Sequence, residues 1–254
     1  MREFSQPNHY LLFTDVRVAL EWRIMKTRLF SWLGKEFVEI VGEGKSGMPA
    51  DRAADDLFRQ FEAELKVYGL SLDNTARLRV WGRDKDARTL ATTARSKILT
   101  GKRRAASSSL ISREWFDSEA TAGLELLAMR PINSGAERRP VDFKPARNYL
   151  CYLQYDSVVF YSGYTSTADT LHDQVTEVLK AISGARAISG GLTQDFRKTG
   201  RLSVFLHRSQ SLSVVKDLLA KEIWIDLANV EYRRVDGFAG EKYLLEIEAT
   251  AAIR

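Results

Sequence analysis

The chain has 254 residues and a net charge of +5, with 44% apolar and 28% charged residues, a composition typical of globular proteins. This length corresponds to one large domain or two ordinary ones. A single cysteine, Cys151, excludes an internal disulfide and a cysteine-based zinc site. The histidines lie far apart and lack metal-ligand spacing, so we predict neither a metal site nor a cofactor.

The sequence also indicates which surroundings and partners to expect. It contains no apolar run of the roughly 18 residues that a membrane span requires, and its N-terminus lacks a signal-peptide core. Basic residues occur in short, dispersed runs with acidic residues between them, whereas a nucleic-acid surface usually carries a denser basic stripe. We therefore expect a cytoplasmic protein that binds a small-molecule metabolite and contacts neither membrane nor nucleic acid.

Predicted elements follow one another in the same order in both halves of the chain. In the first half, the patterns predict strands at 37–41, 76–81 and 123–128 and helices at 53–68 and 87–99. In the second half, they predict strands at 158–161, 200–205 and 243–249 and helices at 171–182 and 211–224. The strand at 200–205 follows its counterpart by 124 positions. This order predicts a tandem duplication of an α+β domain.

The segment 129–147 separates the two halves. It holds three of the five prolines, and proline fits neither a central strand nor a helix interior. We predict domains at 1–128 and 148–254, joined by a linker at 129–147. Each domain would be a mixed sheet with two helices on one face, and the other sheet face would need cover from another copy or from the other half.

Three segments of the second half resemble the RidA (YjgF) family: Val-Phe-Tyr-Ser-Gly at 159–163, Leu-Ser-Val-Phe-Leu at 202–206, and the closing strand at 245–251 with its Glu-Ile-Glu-Ala. The first half resembles the family more weakly, at 68–74 and 78–81. The resemblance implies tandem RidA-like domains of chorismate-mutase-like fold and a trimer with clefts between neighbouring domains. It also implies hydrolysis of enamines and imines, or of chorismate as in two-domain relatives. Some members are described as ribonucleases.

The resemblance implies site residues one by one. Ser162 and Gly163 match the family's Ser-Gly turn, and Glu246 matches the first glutamate of its closing strand. The family's carboxylate-binding arginine has no match, because Asn229 or Glu231 takes its place in the second half and Ala106 in the first. The counterpart of Glu246 in the first half is Gly123, with Glu125 two residues later.

Neighbouring residues are candidates to replace the missing arginine. Arginine binds both oxygens of a carboxylate at once, so Arg233 and Arg234 are candidate substrate ligands. Adjacent strand residues point to opposite faces, so only one of the two can point into a given cleft. Tyr164 and Asn229 complete the predicted binding residues. Cys151 lies in an alternating strand without a neighbouring base, so we interpret it as a packed apolar residue.

We therefore predict a metal-free, RidA-like hydrolase that acts on a small carboxylate- or amide-bearing metabolite. Glu246 would activate water, and backbone amides near Gly163 would stabilise developing charge. The second half keeps more of the family pattern, so the working site is predicted there. A non-catalytic ligand-binding or pathway-partner protein is the alternative, and a ribonuclease is less favoured. A homo-oligomer is expected, with a trimer of tandem chains favoured over a pseudo-dimer.

Overall fold

The computed structural model describes residues 25–132, 135–189, 197 and 200–253. Its strands form a five-stranded and a six-stranded sheet. The first sheet consists of β1 (Met25–Trp32), β2 (Lys35–Glu43), β3 (Thr75–Gly82), β4 (Ala106–Ile111) and β5 (Ala122–Arg130). The second consists of β6 (Arg138–Asp142), β7 (Leu150–Tyr155), β8 (Val158–Tyr164), β9 (Arg201–His207), β10 (Val230–Val235) and β11 (Leu245–Ala252).

Both sheets are mixed, as predicted. The strand order is β1-β2-β5-β3-β4 in the first sheet and β10-β9-β11-β8-β7-β6 in the second. In each sheet one pair is parallel, β3 with β4 and β9 with β10, and the other pairs are antiparallel. The segment predicted as a linker contributes the short edge strand β6, which pairs with β7.

Among the described residues, two helices cover the outer face of each sheet. They are α1 (Ala50–Val67) and α2 (Lys85–Ile98) on the first sheet, and α3 (Leu171–Ser189) and α4 (Leu212–Leu219) on the second. Asp84 caps α2, because its side chain accepts a hydrogen bond of 2.8 Å from the Ala87 amide. Helix α4 is shorter than the predicted 211–224, because tighter three-residue turns continue the chain after Leu219. Within the described ranges, no helix is both long and apolar enough to cross a bilayer.

The inner faces of the two sheets pack against each other. At one end, Phe37 and Met129 of the first sheet contact a cluster that includes Phe160 of the second. At the other end, Trp81 packs with Phe205 at a ring-centroid distance of 5.9 Å. The molecule is therefore layered helix–sheet–sheet–helix, and each half supplies the cover that the other half's sheet requires.

The strand register shows how the two halves correspond. In the first sheet, Trp81 of β3 lies opposite Gly123 of β5. In the second, Phe205 of β9 lies opposite Glu246 of β11. Because Trp81 and Phe205 occupy the same place in the repeat, Gly123 is the counterpart of Glu246, which confirms the correspondence inferred from the sequence.

Candidate active site at the contact of the two halves

Glu246 lies on β11 at the point where the two halves meet, and only 5% of its surface is exposed. Its carboxylate covers Gly163 of β8, where a Cβ atom would overlap it. The same Cβ position lies 2.6 Å from the hydroxyl oxygen of Ser108, which belongs to β4 of the first half. Side chains from both halves therefore surround one small volume above Gly163.

A direct contact between strands holds this arrangement together. The amide of Ser107 on β4 donates a hydrogen bond of 3.1 Å to the Ser162 hydroxyl on β8. Ser162 is completely buried. The structure thus brings three of the sequence-predicted site residues, Ser162, Gly163 and Glu246, to the edge strand of the other half.

The surroundings of Glu246 favour its neutral form. The pKa of this carboxyl group is raised to about 8, chiefly by burial and in addition by the nearby charge of Glu248, against opposing effects of the Ser108 hydroxyl, Arg88 and Arg79. Glu246 forms no salt bridge with any described residue. A carboxyl group with such a pKa holds its proton at neutral pH and can donate and recover it during a reaction.

Two buried arginines reach the same region from helix α2, and the sequence analysis missed both. Arg95 donates hydrogen bonds of 2.6 Å to the Ser107 hydroxyl and 3.3 Å to the Ser96 hydroxyl. Arg88 donates to the neighbouring Thr89 hydroxyl at 3.1 Å. Their spacing of seven residues places them on one helical face, beside the buried alanines of α2. This spacing is the sequence signal that could have identified them.

A pocket of about 100 Å³ opens beside Arg95, between α2 and the start of β7. Hydroxyl, amide and guanidinium groups line most of it, and Leu99 and Leu150 supply apolar wall. Ser107 connects this pocket to the Glu246 region, because its hydroxyl binds Arg95 while its amide binds Ser162. The remaining lining residues are Ser96, Thr100, Arg104, Ala105, Asn148 and Tyr149.

A network of buried charges lies between the two sheets, next to Glu246. Arg79 of β3 donates to Glu248 of β11 from two nitrogens, at 2.7 and 3.0 Å, and also binds Glu125 of β5. Arg77 crosses the same gap and donates to the Thr250 hydroxyl at 2.8 Å. Burial opposes the ionised form of Glu248, but Arg79 and Arg77 lower its pKa overall. The network therefore stays ionised beside the neutral Glu246.

Arg233, a predicted substrate ligand, belongs to this network. Its guanidinium binds Glu125 at 2.8 Å and Glu231 at 2.6 Å. Arg233 of β10 and Glu246 of β11 both pair with Phe205 of β9. The two residues therefore lie on opposite sides of β9. The structure thus joins Arg233 to carboxylates of the protein itself.

Three other predicted binding residues lie away from Glu246. Arg234 donates to the backbone carbonyls of His207 and Gln210. Asn229 donates to the Arg197 carbonyl at 3.3 Å. Tyr164 points to the helix side of its sheet, where its hydroxyl lies 2.9 Å from the sulfur of the half-buried Cys151.

The counterpart of this site in the first half is filled by an aromatic ring. A Cβ atom at Gly123 would overlap the indole of Trp115. That indole stacks on Trp81 with ring centroids 5.2 Å apart. Leu78 pairs with Ser107 in the first sheet, and its equivalent Leu202 pairs with Val230 in the second, so Ser107 corresponds to Val230 in the repeat. Asn229, rather than Glu231, is therefore the counterpart of Ala106. Among the described residues, no group of histidine, cysteine, aspartate or glutamate side chains is arranged to hold a metal ion.

The fold was compared with known proteins. No protein-family model matches the sequence, and no curated protein matches it. A chorismatase structure is similar with a TM-score of 0.58 and 15% identity, over 89% of this chain and 79% of that one. A YjgF-family protein from Mycobacterium tuberculosis covers 46% of this chain and 100% of its own, with a TM-score of 0.40 and 21% identity. A Rid-family protein from Yersinia pestis gives 0.40 and 19%, over 46% of this chain and 100% of its own. The chain therefore has the tandem RidA-like fold that chorismatase has.

Proposed function

We propose that this chain is a hydrolase that acts on a small carboxylate-bearing metabolite where its two halves meet, with Glu246 as proton donor and acceptor. One observation carries the proposal: Glu246 is a buried carboxyl group with a pKa of about 8, no salt bridge, and a glycine beneath it. Such perturbed groups concentrate at functional sites. The fold likeness to chorismatase supports the hydrolase class.

In the hydrolysis of a 2-imino acid, Glu246 would carry the protons and Ser108 would stabilise its carboxylate. Glu246 gives its proton to the imine nitrogen, and water then adds to the imine carbon while its proton returns to the Glu246 carboxylate. Glu246 next protonates the nitrogen of the resulting carbinolamine. The carbon–nitrogen bond breaks, ammonia leaves, and the hydroxyl proton restores neutral Glu246, so imine and water become 2-oxo acid and ammonia. Ser108 lies close enough to hold the ionised carboxylate between these steps.

Hydrolysis of an enol ether is the second candidate, and the likeness to chorismatase favours it. The same neutral carboxyl group would protonate the terminal carbon of the enol ether, after which water would add to the neighbouring carbon. Chorismate and other enol ethers are tested after the 2-imino acids.

The direct experiment generates 2-imino acids with an amino-acid oxidase and traps the residual imine with semicarbazide. We expect wild-type protein to accelerate imine loss and Glu246→Gln to reduce kcat/KM by about 10²–10⁴-fold, the usual range for a lost general acid–base group. The rate should fall as pH rises through about 8, because the proton-donating form of Glu246 is then lost. Glu119→Gln is the matched control, since the Glu119 side chain is 89% exposed.

Three results would contradict the proposal. Imine loss that is equal with and without protein removes the imine reaction, and screening then moves to chorismate and other enol ethers, amides and esters. No turnover of any of these, together with ligand binding that depends on Glu246, would favour the non-catalytic binding protein. Full activity in a folded Glu246→Gln variant would exclude Glu246 from the chemistry.

A further inference from the structure

Gln174 is a polar residue in the buried core of the second half. It lies in the first turn of α3 and is completely buried, beside the buried Val175 and Val178 of the same helix. A polar group in such surroundings destabilises a fold unless it is hydrogen-bonded. The partners of this side chain therefore show what it contributes.

The side-chain amide of Gln174 bridges two backbone segments. Its nitrogen donates hydrogen bonds of 2.7 Å to the carbonyls of Ala168 and Lys242, and its oxygen accepts one of 2.9 Å from the Leu244 amide. All three partners are backbone groups, and both amide protons are used. Ala168 follows β8, whereas Lys242 and Leu244 precede β11. Gln174 therefore joins the segments next to the two strands that carry the site.

Gln174 acts where the pairing of β8 with β11 stops. The last paired residues are Tyr164 and Ile247. Beyond them, no backbone hydrogen bond joins 165–168 to 242–245 among the described residues. The side chain therefore replaces the backbone ladder between the two strands.

The first half keeps its ladder at the corresponding place. The pairing of β2 with β5 extends to Glu43 and Gly123, the counterpart of Glu246, and the Gly44 amide donates a further hydrogen bond of 2.9 Å to the Ala122 carbonyl. In the second half, the described pairs join Glu246 to β9 and not to β8. The separation of the strands is thus a feature of the half that carries the carboxyl group.

The start of β11 is held by different groups on its two sides. On the β9 side, the His207 amide donates to the Leu244 carbonyl at 2.9 Å. On the β8 side, the side chain of Gln174 accepts from the Leu244 amide. Glu246 comes two residues later. A shift of this backbone therefore moves its carboxyl group relative to Gly163, whose missing Cβ leaves room for it.

We propose that Gln174 is a positioning residue for Glu246, because its amide keeps β8 and β11 at the separation at which the carboxyl group lies over Gly163 and close to Ser108. The proposal rests on the proposed function in treating Glu246 as the reacting group. Gln174 acts through the backbone and is buried behind the strands. Its loss should therefore lower kcat rather than weaken substrate binding.

The test variant is Gln174→Met, which keeps the approximate length of the side chain and the charge of the protein but makes none of the three hydrogen bonds. We expect kcat for imine hydrolysis to fall by about 10–100-fold, because a reacting group displaced by ~1 Å loses rate on this scale. KM should change by less than about twofold, since the lost interaction does not hold the substrate.

A second readout does not depend on turnover. Carbon-13 NMR of the glutamate carboxyl groups measures the pKa of Glu246, and Glu246→Gln assigns its signal. A displaced carboxyl group is better hydrated, so its pKa should fall from about 8 toward 4.5 in Gln174→Met. The variant leaves the charged and titratable groups around Glu246 unchanged, namely Glu248, Arg79, Arg88, Arg95 and Tyr149.

Glu43→Met is the matched control, because Glu43 anchors a loop at the counterpart position in the first half. Its carboxylate accepts hydrogen bonds from the Asp117 amide at 2.7 Å, from the Ser118 amide at 3.0 Å and from the Ser118 hydroxyl. The control therefore removes the same number of hydrogen bonds from the strand pair that contains Gly123. We expect it to lower Tm as Gln174→Met does, with kcat and the pKa of Glu246 unchanged.

Circular dichroism establishes that each variant is folded. If Gln174→Met does not fold, Gln174→Asn, whose amide is one methylene shorter, replaces it in both measurements. Unchanged kcat and unchanged pKa of Glu246 in a folded variant would overturn the proposal. Equal changes in Gln174→Met and Glu43→Met, or an effect confined to KM, would overturn it as well.

The outcomes for the two proposals are distinguishable. A lowered pKa of Glu246 in Gln174→Met, without turnover of any imino acid by wild type, would keep the positioning role and remove the hydrolase. Turnover that depends on Glu246 but is unaffected by Gln174→Met would keep the hydrolase and remove the positioning role.

Discussion

Glu246 and Gly123 occupy the same place in the two halves, yet their surroundings differ completely. Glu246 extends a carboxyl group over Gly163 toward Ser108 of the other half. At Gly123 the equivalent space is taken by the indole of Trp115, which stacks on Trp81. In each half a side chain fills the space that the glycine leaves open, because a packed interior has few voids. The difference shows that a ring meets the packing requirement as well as a carboxyl group does, so packing alone does not account for the carboxyl group at Glu246.

Two residues further along each of these strands, both halves carry a glutamate. Glu248 and Glu125 correspond in the register, and both bind Arg79. Arg79 belongs to the first half, so its charge is shared between the two sheets. A carboxylate at this position is part of the fold in either half, whereas the carboxyl group of Glu246 is not.

The prediction with the largest expected effect compares two glycine-to-alanine variants, one in each half. In Gly163→Ala, the new Cβ overlaps the Glu246 carboxylate and displaces it, so we expect kcat/KM for imine hydrolysis to fall by about 10²-fold or more. In Gly123→Ala, the new Cβ overlaps the Trp115 indole instead, and activity should persist. Overpacking should cost each variant about 1–3 kcal/mol of stability. Similar losses of activity in two folded variants would mean that the counterpart is not inert.

The second test exchanges the paired carboxylates for amides. Glu248→Gln and Glu125→Gln each remove one partner of a buried ion pair, so we expect a loss of about 3–5 kcal/mol in the free energy of unfolding for each. Only Glu248 raises the pKa of Glu246 among this pair. Glu248→Gln should therefore move the alkaline limb of the pH–rate profile to lower pH, and Glu125→Gln should leave it in place. Equal shifts in both variants would contradict the assignment.

The third test uses the pKa of Glu246 as a probe of stability. Because this pKa is about 8 in the folded protein and 4.5 for an unperturbed glutamate, the folded state binds the proton more tightly. The stabilising contribution is complete below pH 4.5 and is lost as pH rises through 8. Urea unfolding should show Glu246→Gln gaining about 2–4 kcal/mol over wild type between pH 5 and pH 9. A difference that does not change with pH would place Glu246 in a wetter setting.

The fold and part of the site follow from local sequence patterns. Alternation and helical spacing predicted the principal strands and helices, because a sheet or helix face that packs on a core repeats its apolar residues at a fixed period. Glu246, Ser162 and Gly163 were found through the resemblance of short strand segments. Their proximity to β4 of the other half was expected only as a cleft between domains.

Other features depend on contacts between distant parts of the chain. Arg233 binds Glu125, which lies 108 residues away in the sequence. Local sequence patterns do not predict a pair at such a separation. Tyr164 lies at a β8–β11 irregularity, where simple alternation fails and the ring turns to the helix side. Trp115 fills the Gly123 space from a loop without periodicity. The trimer and the domain boundaries stay predictions.

The Arg79 network ties the two halves together energetically. Separating the sheets would transfer Arg77, Arg79, Glu125 and Glu248 to water at once, along with the aromatic rings packed around them. Neither half can then open without disrupting the charge pairing of the other, so thermal unfolding is expected to occur in a single transition, with matching calorimetric and van't Hoff enthalpies. The sequence predicts two domains, yet the chain would unfold as one cooperative unit.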